Sequence, residues 1–173
     1  MADGRGLLGA PRRCSGKVAV GRPDELVNLA QTLANETPGF FEIKGSGAGN
    51  LATNAYVGEL RIRAALCFGV DLAEQSVCGT NNLRVDYYFE PEATIVEIAL
   101  GLRNPNTEFE KDVLKAVMAK DQGRAVERLL LVSKQGGRKK CNQPGRREVV
   151  SWSERSHGIR VEVHDLVPNV CNT

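Results

Sequence analysis

Residues Asp86-Tyr-Tyr-Phe-Glu-Pro-Glu-Ala-Thr-Ile-Val-Glu-Ile-Ala99 read as a strand, a short turn and a second strand, with one acid planted on each strand. Val85, Tyr87 and Phe89 alternate with Arg84, Asp86 and Tyr88, the period-2 pattern of a half-buried strand. The second run, Ile95 to Leu100, is apolar on both faces, as in a strand inside a covered sheet. Glu97 interrupts it. An ionised carboxylate there is costly unless a cation or a strong donor faces it. Taken singly, Asp86 fits an edge residue paired with an arginine, and Glu97 fits a solvated rim. Taken together, two acids on neighbouring strands form a simple oxygen-rich seat for Mg²⁺.

Around this pair the chain alternates helical and extended patterns. Residues 1–22 are rich in glycine, proline and arginine with little periodicity, and read as a flexible leader; residues 23–173 read as a single domain. Leu26, Leu29, Ala30 and Leu33 form a helical stripe that ends between Asn35 and Gly39. Phe40 to Lys44 is a short strand candidate. Gly45 to Asn50 is a loop ahead of a helix predicted from about Thr53 to Phe68, with Gly69 as its left-handed cap. Strands are predicted over Leu83–Phe89 and Thr94–Leu100, with Pro91 in the turn. Thr107 and Glu110 form a capping box opening the next helix, whose stripe is Phe109, Val113, Ala116 and Val117. Arg128 to Ser133 and Ile159 to His164 are further strands, and Val149 to Ser153 fits strand or turn. The expected class is α/β (α+β), a mixed central sheet flanked by helices.

The net charge of +2 does not by itself indicate a nucleic-acid partner. Its distribution does more. Lys134, Arg138, Lys139, Lys140, Arg146 and Arg147, interleaved with glycines and Pro144, make a basic loop suited to phosphate contact, or to plain solvation. Five cysteines with no C-x-x-C pair read as reduced intracellular thiols. No apolar run spans a bilayer and the N-terminus lacks a signal-peptide core, so the expectation is a soluble intracellular protein, cytoplasmic or nuclear, without a membrane partner. Gly45 to Asn50 is neither a Walker loop, since no G-K-[ST] follows, nor a dinucleotide fingerprint, since Asn50 stands at the last glycine position. Trp152 reads as a core residue. His157 and His164 are too isolated for a metal constellation.

The order of elements with these acids, over about residues 47–133, resembles the PD-(D/E)XK nuclease superfamily of restriction enzymes and archaeal Holliday-junction resolvases. Asp86 matches the family's first acid and Glu97 its second. Tyr56-Val-Gly-Glu59 to Gly69 resembles the first helix of the resolvase branch, whose glutamate helps hold the metal. Two departures stand out: Val85 replaces a frequent proline, and Ala99 replaces the lysine of the motif. The resemblance implies restriction-endonuclease-like architecture and Mg²⁺-dependent hydrolysis of DNA phosphodiesters. Asp86, Glu97 and Glu59 would be metal ligands. Lys111 or Lys115, one turn apart on the following helix, would replace the missing lysine. It also implies DNA, or another nucleic acid, as partner, and a homodimer for cutting a duplex. The alternative keeps the fold without the chemistry: an inactive nucleic-acid-binding or protein-interaction domain.

Overall fold

Pro23 in the first turn, followed by Asp24 and Glu25 where the helix dipole favours acids, starts α1 (Arg22–Glu36). This computed structural model describes residues 21–42, 48–102 and 109–169, and the predicted leader lies outside them except for Gly21 and Arg22. Arg22 is helical rather than part of a leader, and its guanidinium forks onto the Glu92 carboxylate at 2.9 and 3.0 Å. Leu26, Val27, Ala30, Leu33 and Ala34 are the buried stripe. Phe40 to Glu42, expected to begin a strand, are turn residues, closed by hydrogen bonds from Phe40 N–H to Thr37 O and from Glu42 N–H to Gly39 O.

Helix α2 (Ala48–Phe68) starts earlier than the sequence pattern suggested and ends at Gly69, which has φ +70° as the cap requires. Tyr56, Leu60 and Ala64 face the core, and the Tyr56 hydroxyl donates to Ala30 O at 2.7 Å, tying α2 to α1. A three-residue strand, β1 (Ala73–Gln75), follows. Then come β2 (Val85–Phe89) and β3 (Thr94–Glu97), joined by the Glu90–Ala93 turn. β3 stops at Glu97 rather than running to Leu100, so Glu97 ends a strand instead of lying within one.

Helix α3 (Phe109–Asp121) buries Phe109, Val113 and Ala116, with Val117 partly covered; its expected capping box, with Thr107, lies outside the described residues. β4 (Arg128–Lys134) leads into α4 (Gly137–Cys141) and α5 (Pro144–His157), and β5 (Arg160–Leu166) completes the sheet. The stretch predicted as a basic loop is therefore mostly helical: Lys134 ends β4, Arg138, Lys139 and Lys140 lie in α4, and Arg146 and Arg147 lie in α5. Asp165 holds the start of α4 by accepting from Gly136 N–H and Arg138 N–H, both at 3.0 Å. Val149 to Ser153 lies inside α5, and Trp152 is 41% exposed, edge-on to His157 rather than in the core.

The five strands lie in the order β1-β2-β3-β4-β5, antiparallel from β1 to β3 and parallel from β3 to β5. This is the expected mixed α/β sheet flanked by helices. α1 and α2 cover one face, over Tyr87, Phe89, Val96, Leu130 and Val132. α3, α4 and α5 cover the other, over Tyr88, Ile95, Leu129 and Leu131. Fully burying each large side chain contributes roughly 1.5–3 kcal/mol, so both layers are strongly anchored. Because β3, β4 and β5 run parallel, Glu97, Lys134 and Leu166 end at one edge of the sheet. The antiparallel β2 begins at that same edge with Val85 and Asp86. No helix among the described residues is long and apolar enough to cross a membrane.

Candidate active site

The β2–β3 register sets the acid pair. Tyr88 faces Ile95 and Tyr87 faces Val96, so one further step places Asp86 opposite Glu97, on the sheet face that α3 covers. The carboxylates are held from both sides of the ladder. Ile98 N–H donates to Asp86 Oδ2 at 2.7 Å, and Asp86 N–H reaches Glu97 Oε2 at 3.4 Å. Glu97 is only 3% exposed, whereas Asp86 is half-buried and remains open to solvent.

The cation facing this pair is Lys115. Its Nζ lies 2.7 Å from Glu97 Oε1 and 2.9 Å from Asp112 Oδ1. Helical spacing explains the second contact, since Asp112 and Lys115 are three residues apart on one face. It also explains the choice between the two candidate lysines: Lys115 is buried with its apolar stem in the core, whereas Lys111 is exposed on the outer side of α3. The buried Cys78 thiol donates to Lys115 O at 3.4 Å, fixing the backbone behind the ammonium.

Glu97 and Asp112 flank the Lys115 ammonium, and Asp86 lies beside Glu97 across the strand pair. Burial is the largest influence on Glu97, and the charges of Asp86 and Asp112 act in the same direction. Against the partial relief offered by Lys115 they push its carboxyl up to about 9. Burial alone would lower the Lys115 ammonium, but Glu97 and Asp112 outweigh it and hold it above the usual lysine value. Asp112 was not singled out from sequence; its i,i+3 spacing to Lys115 was the available signal.

Glu59 does not join this group. It lies on α2, across the sheet, where Arg63 Nε donates to Glu59 Oε1 at 2.8 Å while the same guanidinium pairs with Glu36 of α1. Among the described residues, no three His, Cys, Asp or Glu side chains form a group that could hold a metal ion by themselves.

The basic residues divide into two sets. Lys134 Nζ donates to Phe40 O at 2.6 Å and lies over the Phe40 ring. Arg146 donates to Leu102 O at 2.7 Å and packs over Phe109, clamping α5 to the turn that follows β3 and to the start of α3. Both are structural ties. Arg138, Lys139 and Arg147 are exposed and Lys140 is partly so, and these α4 and α5 residues follow β4 at the sheet edge where Glu97 ends. No family model, curated protein or solved structure matches this chain.

Proposed function

We propose that this protein is a Mg²⁺-dependent phosphodiesterase acting on DNA, with Asp86, Glu97 and Lys115 as its reacting centre. The observation that carries the reading is the cross-strand acid pair with an ammonium from α3 at 2.7 Å, at the same sheet edge as the exposed cations of α4. The donor set suits the ion. Mg²⁺ commonly takes only one or two carboxylates, completing its shell with water and substrate phosphate, so Asp86 and Glu97 suffice without Glu59. The neighbouring carboxyls of Asp86 and Glu97, whose proximity helps push the Glu97 carboxyl up, are what a divalent cation would neutralise. When bound, the ion supplies Lewis-acid polarisation of the phosphate and acidifies an attacking water.

The chain's own groups do the rest. Ile98 N–H fixes the half-buried Asp86 carboxylate beside Glu97. Asp86 and Glu97 would hold the ion, Glu97 exchanging its contact with Lys115 for it and releasing any carboxyl proton to solvent. Lys115, still paired with Asp112, would set its ammonium beside the phosphate and stabilise charge developing in the transition state. Arg138, Lys139, Lys140 and Arg147 hold the backbone of the nucleic acid across the sheet edge.

A second reading has its own support. Glu97 is sealed behind Lys115, which fits a structural ion cluster in a DNA-binding domain without catalysis. Plasmid DNA incubated with the protein and Mg²⁺ separates them. Cleavage that disappears in Asp86→Asn and Glu97→Gln variants that remain fully folded supports the nuclease. DNA binding at low salt without cleavage supports the second reading, and neither binding nor cleavage overturns both.

A further inference from the structure

Helix α2 is apolar on two opposite sides, and among the described residues only one of them is packed into the core. Tyr56, Leu60 and Ala64 pack into the core. On the other side Leu51, Ala55, Gly58, Ile62 and Leu66 recur at spacings of four, three, four and four, so they form one narrow stripe along the helix. Leu51 is 74% exposed, Ile62 57% and Leu66 79%. A Cβ added at Gly58 would meet nothing within 4 Å. Single exposed leucines are ordinary; a continuous row of this kind marks an interaction surface.

We propose that this stripe is the interface of a homodimer, in which α2 packs antiparallel against α2 of a second copy about a two-fold axis beside Gly58. The stripe is complementary to itself. Antiparallel packing about that point sets Leu51 against Leu66 of the second copy and Ile62 against Ala55, so large side chains meet small ones or one another end to end. Gly58 lies at the crossing, where a missing side chain lets two helices approach most closely.

The charges agree. The only charged residues of α2 are Glu59, Arg61 and Arg63, and they flank the stripe rather than interrupt it. Each is already paired within its own protomer: Glu59 with Arg63, Arg63 also with Glu36, and Arg61 with Asp71 at 2.6 Å. Closing the stripe therefore buries no unpaired charge and leaves a polar rim around an apolar centre. A nucleic acid or an anionic surface would find no free cation along this row. The exposed parts of these side chains on two protomers amount to on the order of 1,000 Å², the lower bound for a specific interface. This inference does not depend on the proposed chemistry, because α2 lies on the sheet face opposite Lys115.

Sedimentation velocity of the full chain tests it. A dimer is expected at about 100 µM, and Ile62→Glu should weaken self-association about 30-fold or more while leaving the melting temperature of the protomer unchanged. In a Cys67→Ser background, Gly58→Cys should cross-link to a dimer under mild oxidation, while Thr32→Cys on the exposed side of α1 should not. A monomeric wild type at that concentration, or a dimer indifferent to Ile62→Glu that cross-links equally from either position, overturns the proposal.

Discussion

Replacing Glu97 by glutamine should remove a pH dependence from the stability of this protein. Glu97 titrates near 4.5 in an unfolded chain and is pushed up to about 9 in the fold, by burial first and by Asp86 and Asp112 next. A carboxyl raised in this way holds its proton more tightly when folded. Its contribution is fully present below the unfolded value and is lost as pH rises through the folded one. The limiting slope for one proton is about 1.4 kcal/mol per pH unit. Between about pH 6 and about pH 8 the loss is therefore at most about 3 kcal/mol, and relaxation around Lys115 reduces it to about 1–2 kcal/mol. Glutamine preserves the shape, and its amide oxygen still accepts from Lys115, but it does not titrate. Urea unfolding of wild type and Glu97→Gln across this range should give curves that diverge as pH rises, with the variant the more stable at the alkaline end. The lowered titration of His164, caused by its burial, is common to both proteins and cancels in the difference. Parallel curves, or a wild type that gains on the variant as pH rises, would refute the reasoning.

Three other changes probe different parts of the structure. Lys115→Met keeps the buried stem but leaves Glu97 and Asp112 without the ammonium between them; unfolding should show a loss of about 3–5 kcal/mol near neutral pH, and any DNA cleavage should fall about 10²-fold or more with DNA affinity little changed. Gly137→Ala places a methyl group against the Ser133 side chain beneath the start of α4, so thermal unfolding should show a loss of about 1–3 kcal/mol. Removing Arg138, Lys139 and Lys140 together should flatten the dependence of log DNA affinity on log salt by about 0.9 for each phosphate that is no longer neutralised, whereas Arg146→Ala should lower the melting temperature and leave that slope unchanged.

What the amino-acid sequence determined by itself is local. Period-2 alternation ending at Phe89, the Pro91 turn and the apolar run after Thr94 were enough to place Asp86 and Glu97 on adjacent strands. Helical spacing marked the buried stripes of α1 and α3, and Gly69 marked the end of α2. Three-residue β1 carries too little pattern to be read, and it exists because β2 offers Val85 and Tyr87 as partners. α5 was hidden by a start rich in glycine, proline and arginine, although Pro144 stands where a helix tolerates proline. The tertiary structure alone decided what the charges do. Lys111 and Lys115 have equal standing in sequence, and only the packing of α3 over β3 turns Lys115 to Glu97 and Lys111 to solvent. Arg146 and Lys134 belong to the same basic run as Arg138, but contacts with Leu102, Phe109 and Phe40, distant in sequence, make them structural. The physical reason is range. Backbone preference and hydrophobic period act over a few residues, whereas the fate of a charge depends on which groups, tens of residues away, share its low-dielectric surroundings.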